Sequence, residues 1–192
     1  MSRLDYHWYK WRAVVALVLG RRRYAMALFA DMVRLWPQDR YALSSLAHQQ
    51  AQAGQFDDAL VHSGRLVELA PDDARAWFNH GFMLESAGRL EEARDAFERS
   101  TVLSPKLDRA WYGLGLVLIR LHRFDEAVQA LERNTELQPM SPYGWYQLAR
   151  VQLERQQPEA ALKIIRHLQG FEPKVAAQLE RETGLKAGQP SH

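Results

Sequence analysis

Apolar residues along this chain fall into pairs of helix-period runs, each pair broken by a short turn and closed by a proline. Between Asp73 and Pro105 the pattern is clearest: Ala74 to Ala87 reads as a first helix, Leu90 or Glu91 to Leu103 as a second, with Gly88 between them. A glycine just past a helix end takes the left-handed conformation without a Cβ clash, so it closes the first helix and turns the chain back. Proline has no amide hydrogen and restricts the residue before it, so Pro105 is expected to stop the second helix. Asp39, Asp73, Asp108 and Ser141 stand where they could cap the helix that follows each proline.

The marker residues of this pair are Trp77, Gly81, Gly88, Ala93, Phe97 and Pro105. Moving 34 residues forward, without a gap, puts Trp111, Gly115, Ala127, Leu131 and Pro139 in the same slots, and a second step gives Trp145, Ala149, Ala161, Ile165 and Pro173. Moving back gives Leu43, Ala47, Gly54, Ala59 and Pro71, then Tyr9, Ala13, Gly20, Ala25, Phe29 and Pro37. His122 and Gln156 replace the turn glycine in the last two copies, which should strain those turns. The small residues would let paired backbones approach, and Trp77, Trp111, Trp145, Phe97 and Leu131 would fill the larger gaps. A period of this length with this pattern resembles the tetratricopeptide repeat family over residues 6–175. The resemblance implies an all-α, right-handed superhelical solenoid of five helix-turn-helix units, 6–39, 40–73, 74–107, 108–141 and 142–175. Residues 1–5 form a lead, 176–185 a half-polar capping helix and 186–192 a flexible tail.

Composition changes this picture in one place. The 25 Lys and Arg against 23 Asp and Glu leave a net charge of +2, but residues 1–40 hold eight basic and three acidic side chains. The basic character is therefore local to the first unit. There is no cysteine, which excludes disulfides, thiolate metal sites and cysteine nucleophiles. Ala13 to Gly20 is too short to span a bilayer, and Arg21, Arg22 and Arg23 follow where a cleavage site would need small residues, so the expected location is cytoplasmic.

No nucleophile elbow, phosphate-cradling loop, dinucleotide fingerprint or zinc-protease pair is present, and no two histidines stand at helical ligand spacing. The acidic pairs Asp57-Asp58, Glu91-Glu92 and Asp125-Glu126 suit the positive N-termini of the second helices. The reading is a non-enzymatic protein with neither metal nor cofactor, serving as an adaptor, scaffold or assembly factor.

Function must then reside on a surface. In the resembled family, the first helix of each unit lines a concave groove. Carried onto this sequence, the groove slots include Tyr41 and His48 in the second unit and Arg75, Phe78 and Phe82 in the third. The fourth unit adds Arg109, Tyr112, Leu116 and Arg120, and the fifth adds Tyr143, Tyr146 and Arg150. Aromatics with arginines among them are usual interface anchors, so the expected ligand is a peptide or helix with hydrophobic and acidic features. The clamp that some members use for chaperone tails is not matched: its slots hold Lys10, Val14, Ser45, Arg75 and Asn79.

The first unit is unusual, because Ala13 to Leu19 is apolar on every side. Trp8, Trp11, Val14, Val15 and Val18 are expected to form a surface for homodimer formation or partner docking, unless aromatic residues 6–11 fold back over it. The competing reading makes this basic, aromatic unit a binder of nucleic acid or of an anionic membrane surface.

Overall fold

The computed structural model describes residues 3–186 and Gly188, and among them the chain is all-α. It divides into two compact units, residues 1–96 and 97–192. The helices are α1 (Arg3–Val18), α2 (Arg22–Leu35), α3 (Arg40–Gln52), α4 (Phe56–Leu69), α5 (Ala74–Ser86) and α6 (Leu90–Leu103). They are followed by α7 (Asp108–Arg120), α8 (Phe124–Leu137), α9 (Pro142–Glu154), α10 (Pro158–Gln169) and α11 (Pro173–Thr183). The ten helices α1 to α10 are the five expected pairs, and α11 follows them.

Turn chemistry explains the pairing. Gly20, Gly54 and Gly88 all have φ of +70° to +77°, and the strained substitutes His122 (φ +58°) and Gln156 (φ +59°) occupy the same left-handed region. Asp39 and Asp73 accept hydrogen bonds from first-turn amides of α3 and α5, so both act as expected. Asp108 and Ser141 do not: Leu107 holds the cap position of α7, and Ser141 precedes α9 without a side-chain cap. Pro142 starts α9 instead, with its fixed φ already helical.

In the N-terminal unit, Ala13 and Ala16 of α1 meet Ala25, Leu28, Phe29 and Met32 of α2 and Ala42 and Leu46 of α3, all buried. A second cluster joins Leu43, Leu66, Val67 and Ala76. In the C-terminal unit, helices approach closely at Gly113, Gly115 and Gly144. A Cβ at Gly113 would lie 2.8 Å from the Phe97 ring, and one at Gly115 would lie 2.7 Å from Leu131 Cγ. One linkage recurs three times: the indole N–H of Trp77, Trp111 and Trp145 donates to the carbonyl of Pro71, Pro105 and Pro139, at 2.9, 3.0 and 2.9 Å. Each tryptophan thus ties its helix to the turn that precedes it.

Three boundaries differ from the sequence reading. Helix α1 already includes residues 3–5, which that reading places in a lead. Pro173 does not stop α10, which ends at Gln169; it opens α11, which runs to Thr183 rather than over 176–185 and closes on Gly184 with φ +72°. The same fixed φ that ends one helix suits the first turn of the next. Of the 186–192 tail, only Lys186 and Gly188 are among the described residues.

Candidate functional site

In the N-terminal unit, α3 and α5 present Ser44, His48 and Gln52 beside Asn79, Phe82 and Ser86. With Phe56 and Met83 these residues line an open concavity of about 350 Å³. Residues four apart share one helix face, which is why 44, 48 and 52 fall together. The Gln52 amide bonds His48 Nε2 at 2.9 Å, and the Ser86 hydroxyl donates to the Phe82 carbonyl. Phe82 is 53% exposed at this site. Of the groove positions expected here, His48 and Phe82 are brought together; Arg75 is exposed and Phe78 half-buried outside the concavity lining. Tyr41 is half-buried and packs against the core, edge-on to Phe29 with Lys10 Nζ 4.1 Å above its ring.

In the C-terminal unit, Tyr112 of α7 and Pro142, Tyr143, Tyr146 and Gln147 of α9 line a larger concavity of about 490 Å³. Glu172, Val175 and Gln178 close its other side. Tyr143 is 71% exposed. The Tyr146 hydroxyl donates to Glu182 Oε2 at 2.6 Å, and Glu182 also accepts from the Gln178 amide. The bond to the carboxylate, with some burial, raises the Tyr146 pKa; the same bond lowers that of Glu182. Tyr146 is therefore fixed in place as a protonated donor. Arg150 is exposed with its guanidinium 5.7 Å from the Tyr146 ring. Leu116 is half-buried, and the exposed Arg109 and Arg120 lie outside the residues that line the concavity.

Expected only as a cover, α11 also contributes Val175 and Gln178 to this site. A signal was present: Leu179 stands 34 residues after Trp145 and is fully buried, so α11 continues the series of first helices.

At the other end of the chain, residues 6–11 do not fold back over α1 but continue it. Tyr6 and Tyr9 point inward, edge-on to Trp36 at 5.3 and 6.1 Å. The Tyr6 hydroxyl donates to Asp39, and burial together with that carboxylate pushes its pKa up to about 12. Trp8, Trp11, Val14 and Val18 are exposed on the opposite side, and Val15 is half-buried. Among the described residues no group of His, Asp and Glu could hold a metal ion. His80 is hydrogen-bonded to Ser63 at 2.8 Å, and burial lowers its pKa.

The sequence matches the family described as Tetratricopeptide repeat at residues 44–108 and 109–173, well over half of the chain. The chain belongs to the tetratricopeptide repeat family. A comparison with curated proteins gives no match. Solved structures give many. The chain is similar to MamA (residues 41 to the end) from Desulfovibrio magneticus RS-1, with a TM-score of 0.79 and 19% identity over 93% of this chain and 97% of that one. It is also similar to YrrB, described as a TPR protein with an unusual peptide-binding site: TM-score 0.77, 15% identity, 90% of each chain. A thermophilic TPR protein of Thermus thermophilus gives TM-score 0.64 and 22% identity, over 90% of this chain and 96% of that one. At these identities the likeness is one of fold. Members of this repeat family are characteristically non-catalytic scaffolds for binding proteins and peptides. No helix among the described residues is long and apolar enough to cross a membrane.

Proposed function

We propose that this tetratricopeptide repeat protein is a non-enzymatic adaptor or scaffold whose first helices bind a peptide or helix carrying hydrophobic anchors and acidic residues. One observation carries this reading: Phe82 and Tyr143, large and exposed, each stand beside a concavity on a first-helix face. A solvated helix face normally carries polar residues there, and rigid aromatic groups next to a recess are favoured interface anchors. The exposed Arg75 on α5 and Arg150 on α9 supply positive charge on the same two helices, which favours acidic residues in the ligand. A peptide-binding site in YrrB, which has a similar fold, is consistent with the same use of this fold.

The test is an array of immobilised peptides that pair aromatic or aliphatic anchors with Asp and Glu, probed with the parent and with Phe82→Ala, Tyr143→Ala and the double variant. Both side chains are exposed, so stability should change by less than about 0.5 kcal/mol. Each single change should weaken binding about tenfold, as for an anchor residue. Equal binding by the parent and the double variant would overturn the proposal.

A further inference from the structure

Among the described residues each later first helix follows another helix, and the repeat register shows what that does to its side chains. The slot of Trp8 is held by Ala42, Ala76, Ala110 and Gly144 in the later units, all buried. At Gly144 the reason is visible: an added Cβ would lie 2.2 Å from Asn134 Oδ1, on the preceding helix α8. The slot of Trp11 is held by Ser45, Asn79, Gly113 and Gln147, and that of Val18 by Gln52, Ser86, Arg120 and Glu154. The first unit therefore has tryptophan where the others need a small residue, and valine where the others are polar. These are not the side chains that would receive one more repeat helix.

Their arrangement is specific. At 3.6 residues per turn, Leu4, Trp8, Trp11, Val14, Val15, Val18 and Leu19 fall within one arc of roughly 140°. Only His7 among the residues within it is polar. Leu4 is 80% exposed, Trp11 66% and Val18 81%. The opposite face, with Tyr6, Tyr9, Ala13 and Ala16, is packed against the core. Cations border the arc. Arg12 lies on one edge with its guanidinium 4.1 Å from the Trp8 ring, while Lys10, beyond the other edge, holds its ammonium over the Tyr41 ring. Arg21, Arg22 and Arg23, all exposed, extend from its C-terminal end.

We propose that α1 docks flat on an anionic lipid surface, its apolar arc in the headgroup region and the bordering cations on the lipid phosphates and carboxylates. Charge complementarity selects this occupant. A second copy would bring the same cationic border against itself, whereas an anionic bilayer attracts it. An arc this wide exceeds the narrow seam that a two-stranded helix pair buries. Nucleic acid would use the arginines and the tryptophans but leave Leu4, Val14, Val18 and Leu19 facing a charged backbone. Tryptophan is suited to the bilayer interface, and long basic side chains at the edge of an apolar face reach to the headgroups. At 1.5 Å per residue the arc is about 22 Å long, suited to lying in the interface rather than crossing it.

The test uses the full chain with vesicles of phosphatidylcholine alone and of equal parts phosphatidylcholine and phosphatidylserine, read by co-sedimentation and by quenching of tryptophan fluorescence with brominated lipid. The parent should bind the anionic vesicles at low salt, bind at least tenfold more weakly to phosphatidylcholine, and be released by salt. Trp11→Glu with Val18→Glu, both at exposed positions, should abolish binding while the circular dichroism and melting temperature stay those of the parent. Arg21→Gln, Arg22→Gln and Arg23→Gln together should weaken it at least tenfold. Failure of the parent to bind either vesicle, or binding that survives the two glutamates, overturns the proposal. So does a dimer in light scattering that the two glutamates convert to monomer, or binding of a single-stranded RNA as tight as that of the anionic vesicles.

Discussion

The N-terminal and C-terminal units are built from the same repeat but end differently. In the C-terminal unit, α11 buries Ala176 and Leu179 and leaves the polar Lys174, Gln178, Arg181 and Glu182 exposed. In the N-terminal unit, α1 buries Ala13 and Ala16 and turns Leu4, Trp8, Trp11 and Val18 outward. An array end needs a wet outer face, and α11 supplies one by pattern alone. The apolar face of α1 is left largely exposed among the described residues. The same contrast holds at the turns: the N-terminal unit uses Gly20, Gly54 and Gly88, whereas the C-terminal unit forces His122 and Gln156 into the left-handed region.

The largest effect that sharpens this contrast is at the end helices. Leu179→Ala should cost about 2–5 kcal/mol in chemical denaturation, because it leaves a cavity in a filled core. Trp11→Ala, which removes a larger side chain, should change stability by less than about 0.5 kcal/mol. Equal losses at the two positions would mean that α1 is as well covered as α11, and the contrast between the ends would be lost.

The turns give a smaller effect of opposite sign in the two units. Gly88→Ala introduces a Cβ at φ +77° and should destabilise by about 1 kcal/mol. His122→Gly relieves the same strain and should stabilise by a fraction of that amount. Denaturation midpoints of the two variants, measured side by side, check the sign. A destabilised His122→Gly protein would show that the edge-on contact of His122 with Phe124, ring centroids 5.7 Å apart, outweighs the backbone cost.

The smallest effect is a pH dependence confined to the N-terminal unit. Burial lowers the pKa of His80, so the folded chain holds this ring neutral while the unfolded chain protonates it near the ordinary value of 6.5. Its contribution is complete above that value and is lost as pH falls below it. The melting temperature should therefore drop from about pH 7.5 to about pH 5, and His80→Gln should flatten that slope.

The helix pairs and turns were legible because each depends on a local rule: a glycine at a left-handed turn, a proline at a break, a small residue between close backbones. Gly88, Ala93 and Gly115 behave as their slots require. Pro173 was misread because one property, a fixed φ, serves both the end of a helix and its first turn. Asp108 was misplaced as a cap because it stands one residue past the slot of Asp39 and Asp73, and Leu107 occupies that slot. The concavities were only half legible. The family pattern names Phe82, Tyr143 and Tyr146, but whether a side chain opens to solvent depends on its neighbours. Tyr41 is drawn under Lys10, and Tyr146 is held by a carboxylate from a helix that the pattern did not include.

The indole bonds of Trp77, Trp111 and Trp145 bear on where the chain can grow. Each spans the six residues from a proline carbonyl to the ring that binds it, so the connection between successive pairs has a set length. One residue inserted after Pro105 or Pro139 would carry the indole away from its acceptor. The turns inside the pairs, at Gly54 and Gly88, have no such indole bond among the described residues, and a Cβ added at either glycine would meet nothing within 4 Å. Extra loops, affinity tags or inserted domains should therefore be accepted at Gly54 and Gly88 and rejected at the turns that precede Trp77, Trp111 and Trp145.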